Sequence, residues 1–468
     1  MFTSDSVKEA IEAGDISPIV NYIKEDIENH ASSKHSRTED ECDFSKTLPT
    51  VLEIFFVSSR LWCSAEDSSV LRSSGKLLQT CIRFLKISCA HSKLLQEEIV
   101  QKNGVLEALR DIVENTKPSE DCQLLKEWCW QLLVNTIVDN IKSLKLMWPH
   151  MGEYILQKIR DDYENALTTT AVLYNAFKLS LDHNVEEIPT LNIFTHIIEI
   201  LEKNIETSDS TKMEYIHLLL EYFITECGKF REIYSQISGH DRIWTIYYIT
   251  DHVKDGNESR LSVDVLKCLP GEFNKKSQCI LNSKNPEYES NDPKEVMALL
   301  RCFVAITGSE KYEGVYKQEA SLFINICGVL VAICSLSAKG DSTFAPLGKL
   351  EDFTPTSEGA KDAEKEIFYE LKSLLVRLIA NLSHKNRKNQ DLARELKALL
   401  TICGCTTMDA KNPMMKEWAI VALKNLLEGN ADNQNVIRSL VNTGPAANSA
   451  LTELMMENGT VRINRNQE

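Results

Sequence analysis

The chain has 468 residues, 43% of them apolar, and sets 52 Lys and Arg against 68 Asp and Glu for a net charge of −16. The length and apolar share suffice for one long helical array or two lobes, while the acidic balance argues against a nucleic-acid partner, whose binding draws on clustered basic side chains. With 18 Gly and 12 Pro, the chain is poor in the residues that an all-β fold of tight turns needs.

The opening run MFTSDSVKEAIEAGD lacks both a basic start and an apolar stretch, so no secretory leader is expected. The sequons at Asn257 and Asn458 are then expected to be unused and the cysteines reduced. His30 to Lys46 reads as a polar loop after a first helical hairpin. Ser73 to Ala90 is long and amphipathic, and Arg83 to Leu109 has the order helix, break at Gly104, helix. EWCWQLLVN, from Glu127, ends on Asn135, with Asn140 five residues later; AVLYNAFKLSL around Asn175 is a weaker copy.

From Pro270 to Pro293 a mixture of Pro, Asn, Ser and charge marks an irregular connection. It divides the chain into an N-terminal array (1–270), a linker (271–294) and a C-terminal array (295–468). Ser321 to Ala338 is uncharged over 18 residues, at the lower limit for a membrane span. Its Asn325, Ser335 and Ser337, and its minimal length, favour a fully buried helix and no membrane span. Gly340 to Ala363, with Pro346 and Pro355, reads as a loop insert.

Near the C-terminus the chain repeats itself. NLSHKNRKNQ from Asn381 returns as NLLEGNADNQ from Asn425, an offset of 44 residues, with Asn381/Asn425, Leu382/Leu426, Asn386/Asn430, Asn389/Asn433 and Gln390/Gln434 coinciding. Such a period falls in the range of armadillo and HEAT repeats, which stack because one helical hairpin cannot bury its apolar face alone. The preceding helices, LKSLLVRLIA and MKEWAIVALK, place Leu374/Trp418, Val376/Ile420 and Ile379/Leu423 equivalently, and both are expected to be core. EWCWQLLVN is a third copy. Gln96 stands where Gln390 and Gln434 stand if Ile87 replaces the Asn. The expected fold is all-α, an armadillo/HEAT-like solenoid in two lobes.

Enzyme signatures are not found. Gly75-Lys76 lacks the earlier Gly of a phosphate loop, and neither Gly-x-Ser-x-Gly nor His-Glu-x-x-His occurs. The 14 cysteines follow no ligand grammar, and Cys403/Cys405 has no second pair to complete a zinc site, so core thiols and no cofactor or metal are expected. Candidate partner-binding residues are Asn135, Arg377, Asn381, Trp418 and Asn425. The Asn amides would either face a concave groove and bond a partner's backbone or close their own helix ends. Trp418 is either a groove residue or a packing anchor. The basic run His384 to Gln390 is a solvated turn or an anion contact at the groove rim.

The strings RFLKISCAHS (Arg83 to Ser92), VRLIANLSHKNRKNQD (Val376 to Asp391) and KNPMMKEWAIVALKNLLEGNADNQNVI (Lys411 to Ile437) resemble the ataxin-10 family. The resemblance implies a cytoplasmic armadillo-like scaffold, perinuclear or at the midbody, centrosome or cilium base. It would act through other proteins in cytokinesis, neuronal survival and neurite growth. Implied partners are a cytoplasmic O-linked glycosyltransferase, a G-protein β subunit and further copies of the chain. The alternative is a nuclear-import receptor. That family carries a Trp four residues before each groove Asn, where this chain has Arg377, Val421 and Gln131.

Overall fold

The computed structural model describes residues 2–31, 44–115, 120–161, 167–183, 185, 188–204, 213–281, 290–341, 343–346, 367–440, 453–457 and 460–464. Among these, 21 α-helices carry the fold. They form two compact units, Met1–Leu269 and Pro270–Glu468.

In the first unit, five helices lie side by side in a row: Phe44–Ser64, Ser68–His91, Glu120–Ile137, Leu167–His183 and Glu214–Thr225. Ser68–His91 shows why such a helix forms. Asp67 caps it, accepting from Ser69 N at 2.6 Å, and Leu77, Leu78, Cys81, Ile82, Phe84 and Leu85 recur at helical spacing and are all buried. Burying one such side chain contributes about 1.5–3 kcal/mol. Shorter helices fill the outside between row members. Lys93–Gln101 and Val105–Glu114 are separated by Gly104 at φ +89°, where a Cβ would meet the Phe56 ring at 3.3 Å. The row continues through the middle of the unit, where the sequence shows no motif. There Phe177 and Phe223 of two row helices meet Phe194 of the flanking helix Thr190–Asn204, with the Phe194 and Phe223 rings 4.2 Å apart.

In the second unit the row is Asp292–Gly308, Leu371–Ser383 and Met415–Leu427, flanked by Ala320–Ala338, Arg387–Glu395 and Ala398–Gly404. The backbone repeats along with the sequence. Glu370 (φ 67°) and Met414 (φ 58°) each precede their helix in the left-handed region. Asp139 (φ 53°), Lys385 (φ 52°) and Gly429 (φ 65°) each precede the Asn that opens the following helix.

Several expectations are corrected. The stretch expected to be irregular from 271 to 294 is helical at both ends. Val263–Lys276 runs through Pro270, the turn Ser277–Ile280 follows, and a new helix starts at Asp292, while 282–289 lie outside the described residues. Val265, Leu269 and Phe273, four apart and fully buried, hold the helix together despite its proline. The loop expected at 30–46 is likewise helical at its ends, since Ser17–Ala31 and Phe44–Ser64 reach into it. Of the insert at 340–363, residues 340, 341 and 343–346 are irregular and the remainder lies outside the described residues.

Ala320–Ala338 is long and apolar enough to span a membrane. Here Leu322, Phe323, Ile326, Cys327, Val329, Leu330 and Ile333 pack inside the second unit. It is not fully buried: Ile324 is exposed. The chain also ends in a feature foreign to an all-α expectation, an antiparallel hairpin of Glu453–Glu457 and Thr460–Asn464 with Glu457 opposite Thr460. Asn458-Gly459 connects the strands and is the strongest short hairpin signal.

Candidate functional site

The repeated asparagines and glutamines meet at the junctions between successive repeats. Asn425 Nδ2 donates to Ala380 O of the preceding repeat at 2.9 Å. Returning the link, Gln390 Nε2 donates to Asn425 O at 2.9 Å and to Glu428 O at 3.3 Å. Asn430 caps the helix Ala431–Arg438 through Asn433 N at 3.1 Å, while its amide reaches back to Gln390 Oε1 at 3.3 Å and Asp391 Oδ1 at 3.1 Å. Asn433 Nδ2 donates to Leu426 O at 2.8 Å and Gln390 O at 3.1 Å. Each end of one repeat is thus tied to the backbone of its neighbour. A buried amide with a partner contributes modestly, whereas one left without a partner costs about 1–3 kcal/mol, so the network specifies the stacking register.

The same clasp stands in the first unit. Asn135 Nδ2 donates to Lys86 O at 3.3 Å, and Gln96 Nε2 donates to Asn135 O at 2.8 Å. Asn140 accepts from Ser143 N at 3.1 Å, and its amide reaches back to Lys93 O at 3.0 Å and Gln96 Oε1 at 2.9 Å. Asn175 has no such role, because its amide bonds Ala171 O of its own helix at 2.9 Å.

Two of the candidate residues take a role that neither expectation names. Asn135 and Asn425 are junction donors; the helix caps are Asn140, Asn386 and Asn430 instead. Asn381 donates to Thr307 Oγ1 at 3.0 Å and, half-exposed, lines a cleft of about 220 Å³ with His384 and Asn425. Asn135 lines one of about 550 Å³ with Cys89, His91 and Lys93. Arg377 and Trp418, read separately from the sequence, form one pair: the guanidinium lies 4.4 Å from the Trp418 ring centre. Burial lowers the Arg377 pKa, and among the described residues its Nε finds no hydrogen-bond partner. In the first unit Lys86 lies 5.2 Å from the ring of Trp128, the residue matching Trp418, and also bonds Gln131.

Two further joints went unread. Asn412, from the KNP string, caps the preceding repeat's helix Leu371–Ser383, its Oδ1 accepting from Lys372 N at 2.8 Å. Arg387, in the basic run, bridges forward to Gly429 O and Asp432 Oδ2, both at 3.1 Å, and bonds Asp391. Burial pushes the Asp391 carboxyl up, but hydrogen bonds from Arg394, Asn430 and Arg387 outweigh it and leave the pKa below its ordinary value. The sequence shows which residues recur. It cannot show that many of their partners are backbone carbonyls of the neighbouring repeat, 35 to 49 residues away, because a carbonyl leaves no mark on residue identity.

Residues 371–464, which hold the C-terminal clasp, match the model of a family described as the spinocerebellar ataxia type 10 protein domain. Ataxin-10 of Bos taurus is 22% identical over 405 residues, covering 83% of this chain and 81% of its own length. Ataxin-10 of Homo sapiens is 23% identical over 401 residues, with the same coverage of 83% and 81%. These matches support identification of the chain with the ataxin-10 family. An ataxin-10 homolog of Dictyostelium discoideum is 44% identical over 94 residues, 19% of this chain and 15% of that one. Among solved structures, one titled "A conserved phosphorylation switch controls the interaction between cadherin and beta-catenin in vitro and in vivo" covers 90% of this chain and 97% of its own at 13% identity and a TM-score of 0.28, too weak a likeness to carry an argument. Family and packing together make this a helical scaffold-type protein.

Proposed function

We propose that this chain is a non-enzymatic protein-binding scaffold acting through other proteins and through copies of itself. The observation that carries the reading is the open apolar side of Met415–Leu427. Ile420 is 55% exposed, where Val376 at the equivalent place one repeat earlier is fully buried. Met414 and Val421 are exposed beside it. A repeat buries this stripe by stacking, and among the described residues no further row helix stacks on it, which suits a protein partner. The clasp amides and Arg387 are engaged within the array, leaving that stripe as the recognition element. On the resemblance to ataxin-10 the proposal extends to a cytoplasmic scaffold serving cytokinesis, neuronal survival and neurite growth, with an O-linked glycosyltransferase and a G-protein β subunit among its partners. Nuclear import fits less well: Arg377, Val421 and Gln131 stand where an import groove needs Trp.

The test uses the full chain carrying Ile420→Asp and Val421→Asp. Sedimentation and pull-down with the purified glycosyltransferase and β subunit should show at least about tenfold weaker association, the scale of lost apolar anchors. Thermal unfolding should be unchanged. If all association persists, the open stripe is not the binding surface.

A further inference from the structure

Arg377 differs from other arginines of the C-terminal unit. Arg301 lies 3.9 Å from Glu370, Arg387 pairs with Asp391 and Asp432, and Arg394 pairs with Asp391. Among the described residues the Arg377 guanidinium makes no ion pair and no hydrogen bond, and its Nε is buried. The Trp418 ring, with its centre 4.4 Å away, steadies the cation but offers no lone pair to its N–H groups. The first unit shows the satisfied form of such a pair. There Lys86 lies over Trp128 and bonds Oε1 of Gln131, three residues after the tryptophan. Val421 stands three residues after Trp418, so the matching acceptor is missing.

Asn381 adds a second donor one helical turn from Arg377. Its amide gives one N–H to Thr307 Oγ1 at 3.0 Å, and among the described residues the other has no acceptor. Both donors border one spot: the point that a Cβ would take on Gly308 lies 3.7 Å from Arg377 Nη2 and 4.0 Å from Asn381 Nδ2. Gly308 is exposed, and it lines the cleft of about 220 Å³ together with Asn381. Solvent therefore reaches a place where two donor groups and one positive charge meet.

We propose that Arg377 and Asn381, steadied by Trp418, form a receptor for the side-chain carboxylate of an Asp or Glu in a partner polypeptide. A guanidinium matches a carboxylate with two parallel N–H···O bonds, and the Asn381 amide supplies a third. The charges select a monoanion. One guanidinium neutralises it, while Glu310 and Glu313 outnumber Lys317 around the adjoining cleft, so the second charge of a phosphate meets repulsion. A chain terminus suits the site less, because such a carboxylate is captured by clustered backbone N–H groups, whereas these donors are side chains. The inference rests on the reading of this chain as a protein-binding scaffold but not on the open stripe at Ile420.

The experiment uses the full chain labelled with 5-fluorotryptophan, in which Trp418→Phe identifies the Trp418 signal by fluorine NMR. The probes are acetylated, amidated pentapeptides Ser-Leu-Xaa-Leu-Ser with Glu, Gln or phosphoserine at the centre, and the Gln peptide with a free C-terminus. At millimolar concentration the Glu peptide should shift the Trp418 signal and bind at least about tenfold tighter than the Gln peptide, the scale of hydrogen bonds to a charged group. Arg377→Gln should remove that preference, and Arg377→Lys, which keeps the charge but not the fork, should reduce it. The comparison of Glu with Gln on the unsubstituted chain stands even if a variant unfolds. Equal binding of those two peptides, or an unmoved Trp418 signal, overturns the proposal. So does tighter binding of the phosphoserine or free-terminus peptide, or a preference for Glu that survives Arg377→Gln in a folded chain. The stripe variants are read by association instead, so either reading can fail while the other stands.

Discussion

Leu371–Ser383 and Met415–Leu427 are two copies of one helix, yet they differ in burial. In the first, Val376 and Ile379 are fully buried; in the second, Ile420 is exposed and Leu423 half-buried. The earlier copy is flanked by Asp292–Gly308 on one side and Met415–Leu427 on the other. Among the described residues the later copy has a row neighbour on one side only. An apolar pattern thus states what a helix can bury, and the neighbour decides what it does bury. The expectation that both copies are core therefore holds for the first, and in the second only for the face of Met415, Ala419, Ala422 and Leu426.

The largest test of this contrast is in the cores themselves. Ile379→Ala should lower unfolding stability by about 2–5 kcal/mol, the cost of a core cavity, and Ile420→Ala by less than about 0.5 kcal/mol, both read from denaturant midpoints. Similar costs at the two sites would mean that Met415–Leu427 is covered in solution. Next comes the clasp. Asn433→Leu strands the carbonyls of Leu426 and Gln390 in a fully buried place and should cost about 2–4 kcal/mol. Asn135→Leu removes one longer bond at a half-exposed site and should cost about 1 kcal/mol.

Backbone strain should give a smaller pair of effects with opposite signs. Gly429→Ala forces a side chain into the left-handed region and should destabilise by about 1 kcal/mol. At Lys385 the left-handed φ costs about 1–2 kcal/mol, against about 0.5–1 kcal/mol for the looser unfolded chain of a glycine. Lys385→Gly should then stabilise by roughly 0.5 kcal/mol, visible as a rise in Tm. The smallest effect is one of pH. Because the folded Asp391 pKa is depressed, its contribution is complete above the unfolded value near about 4 and is lost as pH falls through the folded one. Acid titration of unfolding should show this loss in the native chain and lack it in Asp391→Asn.

The helical repeat was legible where a side chain had to be one particular amide. Asn425, Gln390 and Gln434 are amides because only such groups reach the carbonyls they bond, and Asn381 reaches the Thr307 hydroxyl instead. The helices Leu167–His183 and Glu214–Thr225 stack in the same row and yet carry no visible motif, since apolar packing tolerates many residues of similar volume. Arg377 and Trp418 were each legible, but not as partners, because no helix-face rule joins residues on neighbouring repeats. The hairpin was missed because Asn458-Gly459 was read only as the start of a sequon.

The cap on Leu371–Ser383 has a bearing on synthesis. Asn412, whose Oδ1 closes that helix at Lys372 N, follows it by 40 residues. As the nascent chain leaves the ribosome from its N-terminus, this helix emerges with its first turn open and waits for a residue translated seconds later. A ribosome stalled before codon 412 would hold the helix in a frayed, protease-sensitive form, and one stalled far enough beyond it for Asn412 to clear the exit tunnel would release it closed.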